Sequence, residues 1–158
     1  MASAPETLRL DAAPTATILP LRTRVLRAHF PAGQLAHFEG DDLPHTHHFA
    51  AWAGDEVVGV LSLFQNPMPG DSQPAWQLRG MAVAPELQGQ GVGGRLLEHA
   101  LTRQALADPT LTLVWCNARQ RAVPFYERHG FTIVSPLFEI EGVGPHHRMA
   151  RAMPTLLA

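Results

Sequence analysis

Leu78 to Ala107 reads LRGMAVAPELQGQGVGGRLLEHALTRQALA, and the fold turns on this stretch. The apolar run Met81-Ala82-Val83 stops at Pro85. A glycine-rich turn follows, from Gln88 to Gly94, with four glycines at 89, 91, 93 and 94. Leu96, Leu97, Ala100, Leu101 and Ala105 then recur at helical spacing. The order is strand, loop, helix. Glycines without Cβ atoms let backbone N–H groups come close to a ligand. A helix start adds N–H groups without intrahelical acceptors and a partial positive charge. Such a place suits a phosphate or pyrophosphate.

The residues themselves sort the readings of this loop. A Walker A loop requires Lys and Ser/Thr after its glycines; here Gly94 precedes Arg95 and Leu96. Gly89, Gly91 and Gly94 satisfy the dinucleotide pattern G-x-G-x-x-G. That fold requires a turn tight against its strand and an acid about 20 residues on. Several residues separate Val83 from Gly89, and the next apolar run ends in Cys116-Asn117 with no acid. A dinucleotide-binding oxidoreductase therefore stands only as an alternative. A plain surface turn seldom needs so many glycines at a helix start. The remaining pattern is Gln88-x-x-Gly91-x-Gly93, after a strand and opening a helix.

Working outward, 158 residues suit one domain with its own core, spanning 1–158 with about 1–5 frayed. The net charge of −2 and the lack of a basic run give no electrostatic footprint for nucleic acid. Nine histidines would raise the charge near pH 6. The one cysteine, Cys116, allows no internal disulfide and suits a reducing cytoplasm. No signal-peptide stretch and no apolar run of spanning length appear, so no membrane association is expected.

Toward the N-terminus, Thr7–Leu10 reads as a short edge strand. Pro14 opens a helix whose apolar face carries Ile18, Leu21, Val25, Leu26 and Phe30, with Arg22, Arg24 and Arg27 opposite; Pro31-Ala32-Gly33 ends it. Gln34–Phe38 allows a short helical turn, and Glu39–Pro44 is a polar loop. His48–Trp52 and Val57–Phe64 form a hairpin around Gly54. A loop at Asn66–Pro74 leads to a strand at Ala75–Val83. Beyond the long helix, Leu111–Cys116 is apolar except for Thr112, as in a strand buried on both faces in parallel pairing. Ala122–His129 is a short helix with Gly130 after it. Phe131–Leu137 and His147–Met153 are strands. Strands precede the loop and α/β alternation follows it, so the expected fold class is α/β, a mixed sheet with helices on both faces.

A second motif lies at Ala122-Val123-Pro124-Phe125-Tyr126-Glu127-Arg128-His129-Gly130-Phe131. It is similar to the A-x-x-F-Y-x-x-x-G-F element of the GCN5-related N-acetyltransferases. The loop pattern at Gln88, Gly91 and Gly93 resembles the acetyl-coenzyme A loop of the same family, Arg/Gln-x-x-Gly-x-Gly/Ala. Glu141-Gly142-Val143-Gly144-Pro145-His146-His147-Arg148-Met149 further resembles the ending of the ElaA/YjcF-like branch, E-E-G-I-x-H-x-x-M. Leu21-Arg22-Thr23-Arg24-Val25-Leu26-Arg27 looks like that branch's first helix. Its acidic loop is partly kept as Glu39-Gly40-Asp41-Asp42.

The resemblance implies a splayed cofactor cleft in a mixed sheet and an acetyl-CoA-dependent transferase. It implies that Met81, Ala82 and Val83 pair with the pantetheine arm, and that the amides of Gln88, Gly89, Gln90, Gly91, Val92, Gly93 and Gly94 hold the pyrophosphate. It implies direct attack of a primary amine on the thioester, with a backbone N–H near Val83 stabilising the oxyanion. Tyr126 would then contact the sulfur and protonate the departing thiolate. Asn117 matches a frequent cofactor contact, and reads equally as a strand-end cap. Position offers Glu86, Glu141, His146 or water as base. Arg79 and Arg119 could meet phosphates but suit solvent as well. His45-x-His47-His48 lacks the partners of a complete zinc site, so no metal is expected. A non-catalytic acyl-CoA sensor on the same fold is the other alternative. The acceptor, a small-molecule or peptide amine, is not specified, and monomer and homodimer both stand.

Overall fold

The structure is a computed structural model describing residues 7–154. The chain divides into two compact units, Met1–Phe64 with Gly80–Arg103, and Gln65–Arg79 with Gln104–Ala158. Among the described residues, eight strands are hydrogen-bonded in the order β1-β2-β3-β4-β5-β8-β6, with β7 also on β8. They are β1 (Arg9–Ala13), β2 (His47–Ala53), β3 (Glu56–Gln65), β4 (Trp76–Val83), β5 (Leu113–Arg119), β6 (Thr132–Ile133), β7 (Phe138–Ile140) and β8 (Gly144–Ala152). The helices are α1 (Thr15–Leu26), α2 (Val92–Ala107) and α3 (Val123–Arg128). This is a mixed sheet flanked by helices. No helix among the described residues is long and apolar enough to cross a membrane.

In the first unit β1, β2 and β3 form an antiparallel run, with a register shift at Ala51/Trp52. The β2–β3 hairpin turns through Gly54, which has φ +61°. Helix α2 closes onto β3 at Gly59. A Cβ there would lie 3.3 Å from both Leu96 and Val92, so only glycine admits the helix at this distance without repacking. Leu96, Leu97, Ala100 and Leu101 are buried as their spacing predicts. Ala105 is only half-buried, and Gln104 takes the inward position.

Helix α1 departs from the sequence pattern in an informative way. It ends at Leu26 rather than running to Phe30. Arg22, expected on the polar side with Arg24 and Arg27, is fully buried. Its guanidinium forms a forked pair with Asp41, Nη1 to Oδ2 at 2.7 Å and Nη2 to Oδ1 at 3.1 Å. Nη1 also donates to Ala36 O at 3.0 Å and Nη2 to Ser62 Oγ at 2.9 Å. The plane lies over Phe38, 3.9 Å from the ring centroid. Ser62 passes the chain on. Its Oγ is 2.6 Å from His48 Nδ1, and His48 Nε2 is 2.8 Å from Asp41 O. The Asp41 carbonyl can only accept, so Nε2 carries the proton of the neutral imidazole, and Nδ1 accepts from the Ser62 O–H.

Two helix and strand expectations nearby are also corrected. Gln34–Phe38 is not helical, because Ala36 and Phe38 are drawn instead into hydrogen bonds with Thr23 and Asp41. The first strand begins at Arg9, not Thr7, and runs to Ala13, where its pairing with β2 ends.

In the second unit Trp76 and Gln77 of β4 pair in parallel with Val114 and Trp115 of β5. On its other side β5 pairs antiparallel with β8, from Leu113↔Ala152 to Arg119↔His146. Ala75, Leu113, Trp115 and Ala150 form a core cluster, with Met68 against it. Both buried indoles have partners, Trp76 Nε1 on Asp108 at 3.0 Å and Trp115 Nε1 on Asn66 O at 2.9 Å. The strand expected over Phe131–Leu137 shrinks to Thr132–Ile133, because Pro136 cannot donate to a ladder. The chain re-forms a strand at Phe138–Ile140, which the periodicity did not indicate. The last strand starts at Gly144, three residues earlier than read.

Breaking the buried pair strands a charge without a partner. Asp41→Asn or Arg22→Met is expected to lower unfolding free energy by about 3–5 kcal/mol in urea titrations. A change below about 1 kcal/mol would show that the pair does not organise this unit.

The same network gives acid sensitivity with a defined sign. Burial holds the His48 pKa below its ordinary value, outweighing the pull of Asp41. His99 is shifted the same way, mainly by burial. Burial acts to raise the Asp41 pKa, but Arg22 and the Phe38 amide outweigh it and bring it down. For all three the unfolded chain binds protons more readily. Stability is therefore full above about pH 6.5, declines below it as the histidines protonate on unfolding, and falls again below about pH 4. The thermal midpoint should track this, and His48→Gln should flatten the upper phase.

Candidate functional site

In the first unit, β4 leads into the glycine loop through one fixed turn. Ala84 N–H donates to Val58 O at 2.9 Å, and a single 3-10 turn follows at Pro85–Leu87. Leu87 is buried and anchors that turn. Gln88 reaches back, its Nε2 donating to Val83 O at 3.0 Å. Gln88 thus ties the loop to the end of its strand. Gly89 and Gly91 have φ of +80° and +87°, in the left-handed region that other residues avoid. A Cβ at either would meet nothing within 4 Å, so backbone conformation rather than crowding selects glycine.

Helix α2 starts immediately afterwards, and its first bond is Arg95 N–H to Gly91 O at 3.1 Å. The amides of Val92, Gly93 and Gly94 therefore have no acceptor within the helix. Val92 is buried and pins the helix start, while Gly93 and Gly94 carry no side chain over the amides. The result is a short amide-lined surface with a helix dipole behind it, chemically suited to an anion. Met81 and Val83 are half-buried and Ala82 is buried.

Just upstream, Gly80 has φ +65° within β4. A Cβ there would lie 2.9 Å from Arg22 Nε and 3.1 Å from Phe38. The guanidinium occupies the space that any side chain would need. The buried network of α1 therefore requires a glycine directly before Met81-Ala82-Val83.

The second unit holds Tyr126 and Asn117. Pro124 sits in the first turn of α3, where its missing N–H costs nothing. Tyr126 is buried, with Phe125 and Phe131 edge-on at 5.2 and 5.4 Å. Its carbonyl accepts from the amides of His129 and Phe131, and Gly130 at φ +82° makes that reversal possible. Burial, and next the neighbouring Cys116, push the phenol above its ordinary pKa, so it carries its proton at any working pH. Cys116 itself is buried, and burial raises its thiol to about 12. Asn117 lies at half-buried depth on β5, its Oδ1 buried and without a hydrogen-bond partner among the described residues.

The residues considered as bases differ in state. Glu86 is exposed and pairs with Arg24 at 2.7 Å. Glu141 is exposed. His146 is buried, with Nδ1 2.7 Å from Gly144 O, which makes Nδ1 the donor and Nε2 an acceptor. His147 points the other way, toward Ser135 O, as strand alternation requires. Of the three clustered histidines, His45 is exposed, His47 half-buried, and His48 belongs to the Arg22 network. Among the described residues no group of three or more His, Cys, Asp or Glu is placed to hold a metal.

The strand, the tethered glycine loop and the phenylalanine–tyrosine helix belong to an acetyltransferase. Residues 28–152 match the acetyltransferase (GNAT) domain, and the chain belongs to the GCN5-related N-acetyltransferase family. It is 29% identical over 136 residues to the uncharacterized N-acetyltransferase YitI of Bacillus subtilis, covering 85% of this chain and 89% of that one. It is 29% identical over 114 residues to ElaA of Escherichia coli, covering 72% and 71%. The ElaA crystal structure superposes with TM-score 0.72 over 92% of this chain and 99% of that chain, at 24% identity over the structural match. An acyl-CoA N-acyltransferase from Pseudomonas aeruginosa superposes with TM-score 0.71, at 26% identity, over 92% of this chain and 100% of that one. These likenesses support the ElaA-like branch and set aside the dinucleotide-binding alternative.

The positive φ of Gly89 and Gly91 gives a direct test of the loop. Gly89→Ala and Gly91→Ala should each lower stability by about 1–2 kcal/mol in denaturant titration, through backbone strain alone. Unchanged stability in both would show that the loop does not hold this conformation in solution.

Proposed function

We propose that the chain is an acetyl-CoA-dependent N-acetyltransferase that moves an acetyl group to a primary amine. The observation that carries this reading is the loop. Gln88 tethers it to Val83, left-handed glycines shape it, and it ends on the open amides of α2. In this reading the amides of Gln88 to Gly94 hold the pyrophosphate of the cofactor. Met81, Ala82 and Val83 pair with its pantetheine arm, and Asn117 Oδ1 accepts from an N–H of that arm.

The amine nitrogen attacks the thioester carbonyl directly. A C–N bond forms, the C–S bond breaks, and the thiolate takes a proton from Tyr126. A backbone N–H near Val83 stabilises the oxyanion. The raised pKa of Tyr126 has two sides. It guarantees a protonated donor, and it makes full transfer favourable only to a thiolate held in equally apolar surroundings. The proton lost by the amine goes to His146, Glu86, Glu141 or water. His146 is supported by its Nε2, which remains an acceptor, whereas Glu86 is engaged with Arg24.

Calorimetry tests the first half of the proposal. Acetyl-CoA should bind with micromolar affinity, and NAD and ATP should not; preference for NAD would overturn it. Thiol release with an amine panel tests the second half. Tyr126→Phe should keep cofactor binding and lose turnover by about 100-fold or more. Undiminished turnover would remove Tyr126 as the acid. Wild-type binding without turnover of any amine would favour a sensor.

A further inference from the structure

One face of β5 and β8 carries a polar cluster, and the proposed reaction leaves its arginine, Arg148, without a role. Residues directly paired across two strands share a face. Trp115↔Ala150, Asn117↔Arg148 and Arg119↔His146 are such pairs, and Phe138 of β7 pairs with His146 from the far side. Running along this face, the dry core at Trp115 and Ala150 gives way to Asn117 and Arg148, then to Arg119 and His146.

Arg148 is the unusual member. It is half-buried, and it forms no ion pair with an acid among the described residues. Its Nε is buried and has no hydrogen-bond partner there. The guanidinium carbon is 5.8 Å from the Phe138 ring, and that ring stacks on His146 at 6.0 Å. The strand beneath it is held firmly. Arg148 N–H donates to Ser135 Oγ at 2.8 Å, and its carbonyl accepts from Val134 at 2.9 Å. A cation partly withdrawn from water, with an unused donor and no neighbouring acid, is costly unless an anion completes it. A carboxylate fits the planar fork of an arginine with two parallel hydrogen bonds.

We propose that Arg148 receives a carboxylate on the acetyl acceptor, so that the substrate is an amine that also carries a carboxylate, an amino acid or a close chemical relative. Phe138, stacked on His146, walls the guanidinium that receives the carboxylate. This inference rests on the acetyltransferase reading above.

The experiment compares amino acids with their decarboxylated amines, phenylalanine against phenethylamine and tyrosine against tyramine among them, by thiol release at saturating acetyl-CoA. Wild type should prefer the α-carboxylated member of its best pair by 10-fold or more in kcat/KM. Arg148→Gln should erase most of that preference through KM, and Arg148→Lys should restore part of it. Acetyl-CoA affinity, measured by calorimetry, should change less than two-fold in both variants. Turnover of no carboxylated amine, equal use of the plain amines, or retained preference in Arg148→Gln would each overturn the assignment. A large loss of acetyl-CoA affinity would also overturn it, placing Arg148 on a phosphate instead. If Arg148→Gln does not fold, the wild-type pairs and Arg148→Lys decide alone. Failure of acetyl-CoA to bind wild type is a separate outcome, and removes the acetyltransferase reading itself.

Discussion

The forked pair between Arg22 and Asp41 is the constraint on which the first unit depends. A guanidinium leaves water only at a cost that its acceptors must offset, and here Asp41, Ala36 and Ser62 supply four acceptor contacts to Nη1 and Nη2 while Phe38 covers its face and the buried Nε has no partner among the described residues. One charge pair thereby ties α1, the loop after it and β3 together. Replacing such a pair by apolar groups can be neutral for stability, so stability alone is a weak reason for it. Geometry is a stronger one. The arginine fills the volume beside Gly80, whose φ is +65°, and so excludes any side chain there, immediately before the strand end that leads to the glycine loop.

This orders the chemistry of the unit. Packing of α1 places Arg22, Arg22 leaves no room for a side chain at Gly80, and β4 enters the loop from there. Gln88 closes the loop back onto Val83, and buried Val92 fixes the start of α2. Each link uses one or two atoms, which is how a flexible glycine sequence holds a defined set of amides. The second unit uses a different device. Buried tryptophans with satisfied N–H groups and a long antiparallel ladder hold β5 and β8.

The central stretch was legible because several signals coincided there. The apolar run, the glycines and the helical spacing all marked boundaries that the structure keeps within a few residues. The β2–β3 hairpin and α3 were legible for the same reason. Arg22 was not, since a helical pattern assigns arginine to solvent unless its partner, 19 residues away in a loop, is known. The likeness of Leu21–Arg27 to the branch's first helix, beside Asp41 in a partly kept acidic loop, was the available hint. Short edge strands were equally obscure. Phe131–Leu137 looks extended by composition, but Pro136 divides it, and Phe138–Ile140 gains its pairing only from β8. Arg148 stood within a quoted motif, yet its lack of an acidic partner is a property of the folded chain.

The burial of Cys116 has a practical consequence. The chain has a single cysteine, and it lies in the core with its thiol pushed up to about 12 by burial. Thiolate, not thiol, reacts with electrophiles, so the folded protein is silent toward thiol reagents at neutral pH. Modification of Cys116 would then report opening of the second unit around β5, an internal clock for local unfolding. A cysteine introduced on the surface would be the sole reactive handle, leaving the chain ready for site-selective labelling without removal of any native residue.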